Sequence, residues 1–295
     1  MADTPTALGA LNLWHRSTDV TTLLECPAKY ALGRLFDRDA EAGYFAFGTA
    51  GHLYFHKRLT GSTPDEAWGA AVDSLASFIE GALSAGVEAR WTKKRPESGA
   101  FDELRSIVGK WEADLEFIYY GEGWECVAAE FPARVDDSGV RAGDRVAVTT
   151  ADSIWRRGDE WRIVDWKTGS TAKANPLQLH IYSWVLRHDP KSPIYGLPPE
   201  RVGLFFHHAA FSKLQNAAPY PGDAYIEALL DWATSTKERM VSEAFAPAHP
   251  DWYCDYCLYR SGCPAWGGNL EDLRQRLASA SLEREPVGEV NEGDE

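Results

Sequence analysis

The sequence predicts a mixed α/β fold, with a central sheet flanked by helices, and three observations carry that expectation. The first third reads as a succession of helical patterns, the middle from Trp124 to Gly169 switches to β-rich runs, and a helix, a strand and a further helix follow. Strands with helices on both sides of them in sequence indicate an α/β core. At 295 residues, 44% hydrophobic with 12 Trp, the chain has enough apolar surface for a large core. One domain over residues 1–280 is expected, with a helical insertion over about 60–120.

HRSTDVTTLLECPAKYALGRLF reads as a helix entered through Ser17 or Thr18, with Val20, Leu23 and Leu24 on one side and Cys26 delivered at its end. FAFGTAGHLYFHKRLTG reads as a glycine-punctuated entry into a second helix bearing His52 and His56 at i and i+4. The Ala-rich stretch from Pro64 to about Gly86 has helical spacing, and Phe101 to Tyr120 reads as one long helix. WECVAAEFPARV, RVAVTTADSIWRR and EWRIVDWKTG read as strands, the last two joined by the turn Arg157-Gly158-Asp159. Pro176 opens the next helix, RVGLFFHH is a last strand, and a helix runs around Ala224 to Ser242.

The net charge of −14 speaks against indiscriminate coating of nucleic acid. Glu283 to Glu295 holds six of the acids against one Arg, so residues 281–295 are expected to be an acidic, disordered tail. There is no Walker A pattern and no internal repeat, which speaks against an intrinsic ATP motor. The N-terminal residues lack the pattern of a secretory leader and no apolar run is long enough to span a bilayer. A cytoplasmic protein is expected, in a prokaryotic cell or a phage-infected host, with reduced thiols.

Cys254, Cys257 and Cys263 form C-x2-C-x5-C, and Cys26 sits in LLECPAKY far away in sequence. Thiolates at such spacing chelate a soft metal or an iron–sulfur cluster, and buried packing is the competing reading. Four thiolates also suit zinc, although zinc ribbons usually contribute two paired knuckles, and here the partner is a lone cysteine. Cys126 is isolated and reads as a packed core residue.

Asp165 and Lys167 share a strand face by period-two alternation, and a hairpin can bring Asp152 beside them. Two carboxylates facing one point repel unless a hard cation lies between them, and Mg2+ takes oxygen ligands of this kind. D-x-K alone is weak and often marks a solvated salt bridge. Its flanks Ile163, Val164 and Trp166 are strongly apolar, which makes this a core strand presenting polar residues to a cleft.

The order Asp152-x12-Asp165-x-Lys167, then Gln178-x3-Tyr182 on a helix, with His52 upstream in GTAGH, resembles the PD-(D/E)XK nuclease superfamily. With the cysteine frame, it resembles the RecB-like iron–sulfur exonuclease branch, that is, AddB nuclease domains and CRISPR-adaptation exonucleases. Ala151 stands where the family often has glycine. The resemblance implies a restriction-endonuclease-like fold with a helical N-terminal elaboration and a C-terminal cluster segment. It implies Mg2+ or Mn2+ held by His52, Asp152, Asp165 and the Trp166 carbonyl. Lys167 would position or activate the attacking water, and Gln178 and Tyr182 would orient the site or contact DNA. Glu130 is a weaker supporting carboxylate, and His56 a weaker rival to His52. Cys26, Cys254, Cys257 and Cys263 would hold a 4Fe-4S cluster that staples residue 26 to residues 254–263.

The expected function is a metal-dependent DNA exonuclease acting on single-stranded ends in recombination, repair or CRISPR-type DNA processing, with a helicase or recombination protein as possible partner. The alternative is a catalytically idle, nuclease-derived DNA-binding or assembly subunit with a structural cluster.

Overall fold

The computed structural model describes residues 10–12, 14–36, 41–85, 89–91, 96–136, 146–169, 174–251, 254–255 and 257–283. In chain order these form β1 (Ala10–Asn12), β2 (His15–Arg16), α1 (Ser17–Glu25), α2 (Pro27–Leu35), β3 (Glu41–Ala42), α3 (Gly43–Leu59), α4 (Pro64–Ala85) and β4 (Ala89–Arg90). There follow α5 (Ala100–Asp114), β5 (Glu125–Asp136), β6 (Val146–Arg157), β7 (Glu160–Lys167), α6 (Pro176–His188), β8 (Val202–His208), β9 (Lys213–Asn216), α7 (Asp223–Ser242), α8 (Leu270–Ser279) and β10 (Ser281–Glu283). The chain divides into two compact units. One comprises Met1–Asp39, Arg134–Val148 and Asp223–Glu295, the other Ala40–Ala133 and Thr149–Gly222.

The second unit contains the mixed sheet. β5 pairs with β6, β6 with β7, β7 with β8 and β8 with β9. The β6–β7 hairpin is antiparallel with Ser153 opposite Val164, and closes through Gly158, whose φ of 56° suits a residue without a Cβ. β7 and β8 run parallel, placing Asp165 beside Phe206, Trp166 beside His207 and Lys167 beside His208. The connection between them includes α6, as a parallel pair requires.

Alternation along β7 separates two environments. Val164 and Trp166 join Phe47, Phe55, Leu104, Trp111 and Trp155 in a buried core, each large side chain contributing roughly 1.5–3 kcal/mol of burial. Phe55 stacks on Trp111 with ring centroids 4.6 Å apart, and Trp111 meets Trp166 edge to face at 5.3 Å. Asp165 and Lys167 alternate with these and carry the polar chemistry described below. α4 starts as its sequence dictates. The Thr63 amide and hydroxyl both bond Glu66 Oε2 at 2.8 Å, and the Glu66 amide returns to Thr63 Oγ1 at 3.3 Å.

The long helix expected over Phe101–Tyr120 keeps α geometry only to Asp114. Leu115–Tyr120 widen into a π-turn, with the Trp124 amide bonded to Tyr119 O at 2.9 Å. The turn holds the Tyr119 hydroxyl 3.0 Å from His207 Nδ1, while His207 Nε2 meets Asp114 Oδ2 at 2.9 Å. A buried polar triad thereby satisfies its own members, which is a reason for the local departure from α geometry.

In the first unit, α1 begins at Ser17 but is capped from Arg16, whose amide bonds Asp19 Oδ2 at 3.4 Å. Val20 and Leu23 are buried as expected, whereas Leu24 is 44% exposed. Leu24 follows Leu23 by one position and so turns about 100° away from the buried stripe. Cys26 ends α1 and caps α2, where Pro27 takes the first helical position. β2 pairs in parallel with Ala147 and Val148 of β6. β1 pairs in parallel with β10, so Ser281–Glu283, at the start of the segment read as a tail, form a strand. The rest of that segment, 284–295, lies outside the described residues.

Candidate active site

The site is built within the second unit from α3, β5, the β6–β7 hairpin and α6. Gly51, immediately before His52, allows α3 to approach the end of β7, because a Cβ there would come within 2.6 Å of Thr168 Cγ2. The glycine of GTAGH is thus explained by close approach. His52 Nδ1 lies 3.5 Å from Asp152 Oδ2 and 3.9 Å from Glu130 Oε1. Among the described residues, His52, Glu130 and Asp152 form the group whose ligand atoms converge within 4.8 Å of one another.

Glu130 reaches this point from an unusual backbone. Its φ is 49°, left-handed within β5, a conformation that costs a non-glycine residue about 1–3 kcal/mol and recurs at functional sites. An irregularity of this kind in a strand re-aims a side chain. The sequence marks Glu130 only as a weaker supporting carboxylate, whereas the geometry brings it into the same converging group as Asp152. The one signal in the sequence was a glutamate in the strand preceding Asp152.

Asp165 is buried and its Oδ2 pairs with Lys167 Nζ at 2.6 Å. Burial, then the charge of Asp152, pushes its pKa up to about 6 against the opposing pull of Lys167 and His52. Burial disfavours a charged His52, but Asp152, Glu130 and Asp165 outweigh it and hold the imidazole pKa well above its ordinary value. Such a cluster of carboxylates calls for positive charge at its centre.

Asp152 has a second partner, since the Trp166 amide donates to its Oδ2 at 2.7 Å. The Trp166 peptide therefore abuts the Asp152 carboxylate while its indole lies in the core, 1% exposed. Lys167 Nζ donates to Gln178 Oε1 at 3.0 Å, and Gln178 Nε2 donates to the Tyr182 hydroxyl at 2.8 Å. Gln178 and Tyr182 are one turn apart on α6, whose N-cap Asn175 accepts from the Leu177 amide. Tyr182 is 6% exposed, so it packs and bonds at once. Lys167 also lies 5.5 Å from the Phe206 ring centroid, a contact with no signature in the sequence. His56, one turn beyond His52, does not join the converging group.

A divalent ion fits this donor set. Around Mg2+ bound at ~2.1 Å, adjacent ligand atoms lie about 3 Å apart and opposite ones about 4 Å, and the 3.5 and 3.9 Å between His52 and the two carboxylates fall between these limits.

The first unit contains the other four predicted ligands. Cys26, Cys254 and Cys263 are buried, Cys257 is partly so, and all are free thiols. Each accepts a backbone N–H. His249 N lies 3.5 Å from Cys26 Sγ and Asp251 N 3.4 Å from Cys254 Sγ, while Tyr259 and Ala265 serve Cys257 and Cys263. Burial raises the Cys257 and Cys263 pKa values, and the charges of the other members of the set, including Cys26 and Cys254, raise them further, so the four lie in one neighbourhood. Cys126, in the second unit, is pushed up to about 12 by burial and donates to Ala128 O, as a packed thiol does.

A mixed sheet that presents Asp152 on one strand and the Asp165–Lys167 pair on the next, with a histidine and a third carboxylate converging on Asp152, has the arrangement of a metal-dependent hydrolase site. The chain belongs to the PD-(D/E)XK nuclease superfamily, whose family model matches residues 17–264. Membership implies a Mg2+- or Mn2+-dependent nuclease with a nucleic-acid substrate. No curated protein matches the sequence. Among solved structures, the crystal structure of SSO0001 is similar over 84% of this chain and 95% of that one, at 15% identity and a TM-score of 0.33. No helix among the described residues is long and apolar enough to cross a membrane.

Proposed function

We propose that this protein is a DNA exonuclease of the RecB-like iron–sulfur type, hydrolysing phosphodiester bonds at single-stranded ends in recombination, repair or CRISPR-type processing. The observation that carries the reading is the convergence of His52, Glu130 and Asp152 beside the Asp165–Lys167 pair. His52, Asp152, Asp165 and the Trp166 carbonyl would hold Mg2+ or Mn2+, with Glu130 added to the set. When bound, the ion supplies Lewis-acid stabilisation of charge on the phosphoryl group. Lys167 holds the attacking water or the phosphate oxygen by an N–H, and Asp165 and Gln178 fix the direction of its ammonium. Tyr182 fixes Gln178 in turn.

Cys26, Cys254, Cys257 and Cys263 would bind a 4Fe-4S cluster. Four sulfurs each receiving a backbone N–H suit a thiolate-held centre, since those bonds stabilise the anionic form. Its role is a cross-link between residue 26 and residues 254–263. The protein works in the cytoplasm, alongside a helicase or recombination protein.

The test is digestion of end-labelled single-stranded DNA with Mg2+ or Mn2+ by anaerobically purified protein, alongside Asp165→Ala and Lys167→Ala. Progressive shortening by the wild type and loss of it in both variants is expected. Equal degradation by all three proteins would overturn the assignment.

A further inference from the structure

The helix that carries His52 presents a second chemical feature. α3 buries Phe47, Tyr54 and Phe55, yet leaves Phe45 57% exposed. Phe45 precedes His52 by seven residues, two turns of helix, so it stands on the same stripe about 10 Å along the axis. The ring is braced by Tyr44, with centroids 4.6 Å apart at 56°.

Gly48 and Thr49 occupy the stripe between Phe45 and His52. Gly48 has no side chain, and a Cβ added there would meet only Thr168 Oγ1, at 3.6 Å. The Thr49 hydroxyl folds back onto Phe45 O at 3.1 Å. The ground between the aromatic ring and the histidine is therefore low. It is bordered by Thr168, the residue after Lys167. A lone exposed aromatic is an ordinary surface feature; alignment with a candidate metal ligand across a bare glycine is not.

We propose that Phe45 is the stacking platform for one base of a single DNA strand that runs over Gly48 to the site at His52. This rests on the nuclease reading above and adds to it the group that selects unpaired substrate. A base offers its face to a protein ring only when it is free of its own stack, and Phe, lacking hydrogen-bonding groups, accepts any base. The chain's charge strengthens the argument. A net charge of −14 lessens general attraction to phosphates, and stacking supplies affinity that does not depend on charge.

Binding and cleavage are measured separately. Fluorescently labelled single-stranded oligonucleotides, intact or with one abasic position moved stepwise from the end, are titrated in Ca2+ with wild type, Phe45→Ala and Phe45→Trp. Phe45→Ala is expected to weaken binding about 5- to 100-fold, and Phe45→Trp to restore it. One abasic position should cost the wild type the same factor and cost Phe45→Ala nothing further. An unchanged Kd in Phe45→Ala, or an abasic penalty equal in both proteins at every position, overturns the proposal. Cleavage by wild type in Mg2+ or Mn2+ is scored independently. Its absence alongside Phe45-dependent binding would overturn the nuclease reading and leave the stacking site standing.

Discussion

Glu130 Oε1 lies 3.9 Å from His52 Nδ1, although Glu130 itself is held in a left-handed backbone conformation within β5. That pairing ties a local conformational cost to a convergence of charge, and the two are separable by substitution. Glu130→Gln keeps the backbone cost and removes the charge. It should weaken Mn2+ binding on the order of 10- to 100-fold, taking the scale of perturbed metal sites, with little change in melting temperature. Glu130→Gly relieves a left-handed cost of about 1–2 kcal/mol but gives the unfolded chain about 0.4–1 kcal/mol of freedom. It should therefore melt at or slightly above wild type while binding Mn2+ as poorly. Calorimetric titration and thermal melts check both variants.

Asp165 illustrates function at the expense of stability. Its folded pKa of about 6 lies above the ordinary 3.8, so between those values the folded state binds the extra proton and stability falls as pH rises. The cost is fully present above about pH 6 and vanishes towards pH 4. Asp165→Asn should stabilise the metal-free protein at pH 7 by ~1–3 kcal/mol, the gain fading towards pH 4, and should abolish cleavage. Added Mn2+ should raise the melting temperature of wild type more than that of the variant. A variant less stable than wild type at pH 7 would contradict the electrostatic account.

The chain of contacts from Lys167 through Gln178 to Tyr182 predicts graded effects. Lys167→Met should lose cleavage altogether, because in the proposed mechanism its ammonium holds the attacking water or the phosphate oxygen. Tyr182→Phe removes only the hydroxyl that accepts from Gln178 Nε2 at 2.8 Å. One hydrogen bond worth ~1 kcal/mol corresponds to about a fivefold fall in kcat. Gln178→Leu removes the acceptor for Lys167 and should fall between the two. Single-turnover cleavage rates at saturating enzyme distinguish the three.

The parts of this site legible in the sequence were those set by regular periodicity. Asp165 and Lys167 alternate with Val164 and Trp166, so one strand declares both its core and its polar face. Gln178 and Tyr182 meet because they are four apart on a helix. Glu130 stayed in the background because its role depends on a backbone angle that no pattern of glutamate encodes. Leu24 was misplaced because adjacent leucines cannot share a narrow helical stripe. The π-turn at Leu115–Tyr120 was hidden because its reason lies in His207, nearly ninety residues away. Cooperation between Lys167 and Phe206 was hidden likewise, since adjacency across parallel strands depends on register.

The cysteines carry a prediction confined to the first unit. On the proposed cluster assignment, Cys257→Ala and Cys26→Ala should each remove bound iron, sulfide and the visible charge-transfer absorption. Each should lower the melting temperature, since a cross-link closing more than two hundred residues is worth several kcal/mol in the chain-entropy view. The double variant should be no worse than either single one, because both break the same centre. Cys126→Ala should keep the chromophore. Zinc in place of iron in protein purified without oxygen would refute the cluster assignment.

Lys237 gives the first unit a stability profile that can be read by titration. It is fully buried on α7, with Nζ 2.9 Å from Trp14 O, 3.0 Å from His15 Nδ1 and 5.0 Å from the Tyr30 ring centroid. No carboxylate among the described residues pairs with it. Asp19 acts from a distance and is itself paired with Arg34 at 3.1 Å. Burial lowers the Lys237 pKa to about 7, with Asp19 opposing and Arg34 adding to the fall. Burial, then Lys237, lowers that of His15, whose Nε2 lies 2.8 Å from Thr234 Oγ1. Between about pH 7 and 10.5 the unfolded chain holds the lysine proton that the folded unit has released. Stability therefore rises with pH over that window, by at most ~1.4 kcal/mol per pH unit. His15 adds a loss of stability as pH falls below about 6.5, because the unfolded imidazole takes a proton that the buried one refuses. Melting curves from pH 6 to 9 should climb for wild type, and the part of the climb above pH 7 should be absent in Lys237→Met. An identical slope in the two proteins would show that Lys237 keeps its proton in the fold.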